Sequence, residues 1–252
     1  MRRAEPLRLQ RWHFLAALGA LLFVRAIFYG QIGPAVNWTP KLDLTVVAPA
    51  FPLTVRGRVF FLSVLLFSIL SFVRVLAVFY LWLLAVAVIN KRVTSPDPLQ
   101  KLVLLQLGRA ARWPVVVQLV APALIIAALW MLFHPLLTHI GVTSAVRSNL
   151  VLLAQGLVIG LSAYLSLKFL LAAFLLAHVI VNYVYLGANP VWDFIGTTSR
   201  NILSPLNRLP LRFGKVDLAP IIGIVLIALL LFVLPNYLLQ ELNRRNLTVW
   251  PQ

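Results

Sequence analysis

Five long apolar stretches alternate with shorter polar, proline-containing segments along this chain. A helix needs about 20 apolar residues to cross a hydrocarbon core roughly 30 Å thick, and each stretch comes close to or exceeds that length. They predict five crossings, within residues 12–29, 59–89, 115–137, 149–183 and 218–238. The second and fourth stretches are longer than one crossing requires, so we expect those helices to tilt, kink or extend beyond the bilayer. The pattern therefore predicts an all-α integral membrane protein.

The segment of residues 189–220, between the fourth and fifth stretches, is too polar and too rich in proline to cross a bilayer itself. After Pro190, one side of a helix would be mainly apolar and the opposite side polar. The first side comprises Val191, Ile195, Thr198 and Ile202, flanked by Trp192 and Leu203, and the second comprises Asp193, Thr197, Arg200 and Asn201. This pattern predicts a short amphipathic helix in the headgroup plane, with Trp192 at the interface and Arg200 toward lipid phosphates.

Proline and short polar residues mark where this helix and a related one begin. Asn189 and Asp97 suit N-cap positions, because their side-chain oxygens can accept hydrogen bonds from free amides of the first turn. Pro190 and Pro98 then fall at the first helical position, where the missing amide hydrogen is not needed. Residues 98–113 thus predict a second, less regular in-plane helix. The alternative for both segments is a plain connecting loop that packs on the helix ends.

These start signals belong to a repeat with two copies. The first copy contains Asn90, Asp97-Pro98 and Ala121-Pro122, and the second contains Asn182, Asn189-Pro190 and Ala219-Pro220. The offset is 92 residues for the first two pairs and 98 for the last. We interpret the chain as a lead helix plus two repeated helical hairpins, each with a short amphipathic interfacial helix in its cytoplasmic connection. The domains are residues 1–58 (basic segment, first crossing and outer loop), 59–140 (first, degenerate hairpin), 141–240 (second hairpin) and 241–252 (polar tail).

Basic residues determine the orientation that we predict. The chain carries 22 Lys and Arg against 6 Asp and Glu, and 62% of its residues are hydrophobic. With the N-terminus inside, 13 basic residues fall in inner segments, 6 in outer segments and 3 within apolar stretches. This positive-inside bias predicts a cytoplasmic N-terminus. The net charge of +16 also favours contact with anionic membrane lipids, and the absence of a soluble basic domain argues against direct nucleic-acid binding.

Two of the basic residues within apolar stretches, Arg74 and Lys168, occupy similar positions in the two predicted copies. A charged side chain at the centre of a membrane helix costs about 2.5–3.5 kcal/mol on insertion scales. The apolar stretches contain no acidic residue that could pair with them. We expect both side chains to extend to the outer headgroups. The alternative is a shared polar cavity or lipid-phosphate site, lined by Gln106, Gln118 and Gln155.

Other candidate chemistry is sparse. The chain has no cysteine, which excludes disulfides, thiolate metal sites and cysteine nucleophiles. His178 lies in the fourth stretch, but no second histidine is clearly placed to complete a haem site with it. Gly156 and Gly160 form a GxxxG motif, typical of close helix packing within a chain or between subunits, so a homo-oligomer stays open. We find no nucleophile elbow or phosphate-binding glycine loop, and we predict no enzymatic activity, cofactor or metal site.

The run SPLNRLPLRFGKVDLAPIIGIVLIALL resembles the signature of the YggT (YlmG) family of integral membrane proteins. In that family's hairpin, a proline-rich basic insert leads to an Asp, a small residue and a Pro that open the second helix. The matching positions here are Pro205, Arg208, Pro210, Arg212, Asp217, Leu218, Ala219 and Pro220. Ala219 stands where a serine is common. The resemblance covers residues 163–234, is weak over residues 71–133 and does not extend to residues 1–58.

This resemblance implies a non-enzymatic protein of the bacterial cytoplasmic (inner) membrane, since family members are linked to membrane-complex assembly, osmotic tolerance and cell division. We therefore predict a scaffold or assembly factor that docks other integral membrane proteins or anionic lipid through its inserts. The alternative is a channel or transporter component linked to ion or osmotic homeostasis. Asp217 is expected to cap the fifth helix and to pair with Arg212 or Lys215. The candidate contact residues are Trp192, Arg200, Arg208, Arg212, Lys215 and Asp217.

Overall fold

The structure, a computed structural model of the chain, is helical almost throughout, and its long helices follow the apolar stretches. It describes residues 11–36, 39–44, 48–51, 58–91, 93, 97–146, 148–184, 187, 189–206, 212–213, 216–233, 235–237 and 240. Of these, residues 11, 34–35, 58–60, 183, 212–213 and 216–217 are described by their backbone alone.

The elements are helices of unequal length, with one short pair of strands near the C-terminal end of the described chain. The first half comprises α1 (Arg11–Ala35), α2 (Arg58–Ile89), α3 (Pro98–Leu107), a first 3₁₀ helix (Gly108–Arg112) and α4 (Val115–His139). The second half comprises α5 (Asn149–Ser162), a second 3₁₀ helix (Ala163–Ser166), α6 (Leu167–Tyr183), α7 (Pro190–Leu203), strands β1 (Arg212–Phe213) and β2 (Val216–Asp217), α8 (Ala219–Ala228) and a π-helical turn (Leu229–Val233). The two strands pair antiparallel.

Five helical segments of the described chain are long and apolar enough to cross a membrane. They run over Trp12–Gly33, Phe61–Ile89, Val115–His139, Asn149–Asn182 and Ala219–Tyr237. The five predicted crossings are therefore confirmed as helices of sufficient length and apolarity, as in a multi-pass membrane protein. Most of their apolar surface is exposed, and only 6% of the window in the first segment is buried within the protein. Lipid acyl chains would cover such a surface in a bilayer.

The fourth crossing is interrupted, in agreement with the expectation that its length requires a kink or extension. Between α5 and α6 the chain tightens into the second 3₁₀ helix. Just before it, Ser162 Oγ donates to the Ile159 carbonyl at 2.8 Å, and within it Ser166 Oγ donates to the Ala163 carbonyl at 2.7 Å. Because such side-chain bonds compete with the regular backbone ladder, they favour a local change of helix type.

The chain divides into two compact units, the first formed by Met1–Asp43, Val47–Val75 and Phe133–Ala145. In this unit Ser68 Oγ donates to the Leu22 carbonyl at 3.2 Å, which joins α2 to α1. Between α1 and α2, Phe51 is fully buried and meets the Phe67 ring edge-to-face, with centroids 5.4 Å apart. A β-bridge joins Lys41 and Ala50 in the same segment.

The second unit, formed by Leu44–Val46, Leu76–Leu132 and Val146–Gln252, contains the GxxxG motif. A Cβ atom at Gly156 would lie 2.9 Å from the Ala127 carbonyl oxygen, and one at Gly160 would collide with the Ala123 backbone. The two glycines thus let α5 approach the backbone of α4 closely. Of the two alternatives for this motif, the structure places the close contact within the chain.

Candidate functional site

The start of α7 follows the predicted capping pattern. Asn189 Oδ1 accepts a hydrogen bond from the Val191 amide at 2.9 Å, and Pro190 is the first helical residue. Helix α3 begins in the same way at Pro98, with Asp97 at the N-cap position. However, the Asp97 side chain makes no capping bond, so the predicted capping role of that carboxylate is wrong. The Asp97 carbonyl instead accepts from the Lys101 amide, as the helix ladder requires.

Asn90, at the end of α2, joins two inserts, by which we mean the short helices α3 (Pro98–Leu107) and α7 (Pro190–Leu203). Its side-chain Nδ2 donates to Thr198 Oγ1 at 2.8 Å, and its Oδ1 accepts from Asn201 Nδ2 at 2.8 Å. Its backbone carbonyl accepts from Gln100 Nε2 at 3.0 Å. Thr198 and Asn201 lie on α7 and Gln100 lies on α3, so one residue holds the two short helices at the end of a long one.

Most of this network is buried, so losing one of its hydrogen bonds would cost stability. Asn90 is 1% exposed, Gln100 is 4% exposed and Thr198 is fully buried. Water cannot replace a lost partner easily at such positions, so each bond fixes the geometry of the groups it joins. The two inserts therefore form one connected polar core, which we call the Asn90 junction (Asn90, Gln100, Thr198 and Asn201).

The buried face of α7 agrees only in part with the face predicted from periodicity. Thr198 and Leu203 are buried as predicted, but Gly196 and Ser199 are buried as well, and Val191 is 41% exposed. Asn201 was assigned to the outward polar side, and this is wrong because its side chain bonds to Asn90. Small residues allow close approach between helices, and Ser199 Oγ uses that approach to donate to the Phe174 carbonyl of α6 at 2.9 Å. The signal available in the sequence was this run of small residues.

The remaining face of α7 is available for contacts. Asp193 and Arg200 are exposed, and Trp192 is half-buried. Arg200 Nε donates to the Gly196 carbonyl of its own helix at 3.2 Å, so its guanidinium is partly oriented before any partner binds. Trp192, Asp193 and Arg200 thus present an aromatic ring and two opposite charges from a helix fixed by the Asn90 junction.

The hairpin after α7 brings two candidate residues together at backbone level. Arg212 in β1 and Asp217 in β2 are direct partners in the antiparallel register. The N-cap position of α8 belongs to Leu218, so Asp217 lies one residue before it. Pro220 is buried in the first turn of α8. Arg208 and Lys215 lie outside the described residues, as do the side chains of Arg212 and Asp217.

The two predicted intramembrane charges have different surroundings. In the first unit, Arg74 Nη2 lies 3.1 Å from Asp43 Oδ2, so an acid from the segment between α1 and α2 supplies the partner that the apolar stretches lack. In the second unit, Lys168 Nζ lies 5.2 Å from the Phe169 ring centroid and 4.7 Å from that of Phe232. Such cation–π contacts stabilise an ammonium group in apolar surroundings.

A third basic residue, Arg25, has a specific environment that sequence reasoning did not single out. Its Nη2 donates to Ser71 Oγ at 3.2 Å, and its guanidinium carbon lies 5.1 Å from the Tyr29 ring centroid and 6.0 Å from that of Phe67. The spacing of Arg25 and Tyr29, one helical turn apart on α1, was a usable signal. These contacts hold α1 against α2 within the first unit.

Two of the glutamines proposed to line a shared cavity make specific hydrogen bonds. Gln106 Nε2 donates to the Tyr80 hydroxyl at 3.5 Å, and Gln118 Nε2 donates to the carbonyls of Ala110 and Ala111.

His178 is buried, with its Nε2 3.2 Å from Asn182 Nδ2. In the described part of the chain, no three His, Asp or Glu residues come together as metal ligands would.

Comparison with protein-family models, with curated proteins and with solved structures finds no match to this chain. The resemblance to the YggT family therefore stays a prediction from the quoted residues.

Proposed function

We propose that this chain is a non-enzymatic membrane scaffold or assembly factor that docks another integral membrane protein on the exposed face of α7. The Asn90 junction is the observation that supports this function. It fixes a short helix by buried hydrogen bonds on one side and leaves Trp192, Asp193 and Arg200 on the other. A surface that is already ordered loses less conformational freedom on binding, which favours association.

The proposal includes the predicted topology. The N-terminus is cytoplasmic, the chain lies in a bacterial inner membrane, and both inserts lie at the cytoplasmic headgroups as parts of two repeated hairpins. The supports are the excess of basic residues in the inner segments and the helices that begin at Pro98 and Pro190. We assign no cofactor or catalytic step to this chain.

The double variant Trp192→Ala with Arg200→Ala is expected to reduce the amount of co-purifying partner at least about fivefold, because Trp and Arg contribute most to typical interfaces. The measurement is gentle extraction of the tagged protein from its native membrane, followed by quantitative mass spectrometry of the proteins retained in fixed ratio. The variant protein itself should insert at the wild-type level.

The matched control removes the same residue types from the other insert, as Trp113→Ala with Arg112→Ala. It is expected to retain the partner at the wild-type level. Equal retention by the α7 variant and the wild type would overturn docking on α7, and equal loss in both double variants would show that the surface is not specific to α7.

A second candidate, transport, is favoured by one observation. Lys168 lies at the start of α6, directly after the second 3₁₀ helix, and its Nζ contacts Phe232 in the π-helical turn. Two interrupted crossings thus meet around a cation, and broken membrane helices often line substrate or ion paths.

If this second candidate holds, Lys168→Leu should change ion flux or selectivity in proteoliposomes severalfold, whereas Lys101→Leu, at an exposed lysine of α3, should not. The measurement is the flux of radioactive or fluorescent ion tracers against empty vesicles. Wild-type protein with no flux above empty vesicles would remove this candidate.

A further inference from the structure

Two arginines are aligned on the first 3₁₀ helix, Gly108–Arg112. A 3₁₀ helix has three residues per turn, so side chains at positions i and i+3 project from the same side. Arg109 and Arg112 have this spacing, and both are exposed. The two arginine side chains therefore project from the same exposed side of this turn.

Two residues fix the backbone of this turn, Gly108 by its conformation and Gln118 by its hydrogen bonds. Gly108 has φ +53°, a value that side chains disfavour, and this turns the chain from α3 into the 3₁₀ helix. From α4, Gln118 Nε2 donates to the Ala110 carbonyl at 2.9 Å and to the Ala111 carbonyl at 3.0 Å. Gln118 is 2% exposed, so the turn rests on a buried support.

A third cation reaches the same turn. Lys91 Nζ donates to the Trp113 carbonyl at 3.5 Å, at the residue that follows Arg112. Among the residues that the structure describes, Lys91, Arg109 and Arg112 take part in no ion pair. Two positive charges on a fixed turn and a third that reaches it from the end of α2 complement an anion with several oxygens, such as a phosphate.

The surface beside the three cations is apolar. Trp113 is 40% exposed, and in the first turns of α4 Val116, Val117 and Val120 are 70%, 41% and 46% exposed. Tryptophan is enriched at membrane interfaces, and exposed valines on a crossing helix face acyl chains. A ligand that contacts both the three cations and this apolar surface needs an anionic head and apolar chains.

We propose that Lys91, Arg109 and Arg112 bind the phosphate of an anionic phospholipid whose acyl chains run along the exposed face of α4. This inference rests on the proposed function only in placing the first insert among the headgroups. It assigns a ligand to that insert, whereas partner docking is assigned to α7.

The test uses the purified full-length protein in a neutral detergent, titrated with dioctanoyl phosphatidylglycerol and followed by native mass spectrometry. The expected result is at least tenfold tighter binding than to dioctanoyl phosphatidylcholine. Arg109→Gln and Arg112→Gln should each weaken phosphatidylglycerol binding about fivefold or more, as expected for the loss of one cation near a lipid phosphate. The matched control is Lys101→Gln, which removes an exposed charge from α3 and should change affinity less than twofold.

Several results would overturn the site. Equal weakening by Lys101→Gln would show attraction to overall charge, and equal binding of both lipids would exclude recognition of the anionic head. Inorganic phosphate that competes at concentrations similar to the lipid would identify free phosphate as the ligand. Size-exclusion profiles test whether each variant is folded. If Arg109→Gln fails to fold, Arg109→Lys takes its place in the test: it keeps the charge and should retain most of the affinity. Partner retention on α7 is measured separately, so failure of either proposal is distinguishable.

Discussion

Replacing Gly160 with leucine is expected to destabilise the second unit by about 3 kcal/mol or more, with a thermal midpoint in detergent lowered by roughly 10 °C. Even a Cβ atom at this position would collide with the Ala123 backbone of α4. A backbone cannot rotate away as a flexible side chain can, so α5 and α4 must separate and lose their dispersion contacts. Size-exclusion chromatography with a thermal unfolding scan measures the effect.

The control for this prediction is Gly19→Leu on α1, because a Cβ atom at Gly19 would meet nothing within 4 Å. This variant should behave as the wild type, which separates the clash from a general effect of adding leucine. Gly156→Ala should give an intermediate loss, since its Cβ would lie 2.9 Å from the Ala127 carbonyl oxygen. A Gly160→Leu variant as stable as the Gly19→Leu variant would contradict the close packing of α5 on α4.

Replacing Asn90 with leucine is expected to cost about 2–5 kcal/mol, because it leaves two buried or partly buried polar groups without their partner. Thr198 Oγ1 loses a donor and Asn201 Nδ2 loses an acceptor. Leucine has a similar volume, so the effect reports the polar bonds more than a cavity. We expect α7 to detach from the end of α2 and the inserts to become more accessible.

Thermal unfolding measures the lost stability, and limited trypsin digestion measures the access, through faster cleavage after Lys101 and Arg200. The matched control is Asn182→Leu, at the corresponding position of the predicted second copy. Asn182 is exposed and its amide contacts His178 on its own helix, so this variant should lose less than about 1 kcal/mol. Similar losses in the two variants would argue against a special role for the Asn90 junction.

Asn90 also shows how far the sequence leads toward the site. Its place before Asp97-Pro98 marked it as part of a repeat, yet nothing local indicated its partners, which lie 108 and 111 residues further along the chain. The same limit affected α7, where periodicity predicted the helix and the burial of Thr198 and Leu203 but assigned Asn201 to the wrong side. Periodicity measures average apolarity, whereas the buried face here also includes Gly196 and Ser199, which are small enough for close packing.

For the charged residues, too, the sequence predicted positions but not most of their partners. The apolar stretches predicted that Arg74 and Lys168 lie within crossings, but Asp43 beside Arg74 and Phe232 beside Lys168 come from distant parts of the chain. Neither partner could be identified from spacing, because loops and separate helices meet only after folding. Arg25 was the exception, since Tyr29 follows it by one helical turn.

The sequence by itself determined the list of helices: five helical segments long and apolar enough to cross a membrane, and two short helices that begin at Pro98 and Pro190. These properties are local, because bilayer thickness sets the length of an apolar run and proline restricts the first turn of a helix. Only the tertiary structure decided which faces are buried, that the GxxxG motif packs within the chain, and that Asn90 joins the inserts. Those features depend on side chains far apart in sequence meeting at hydrogen-bond or van der Waals distance, which no local pattern encodes.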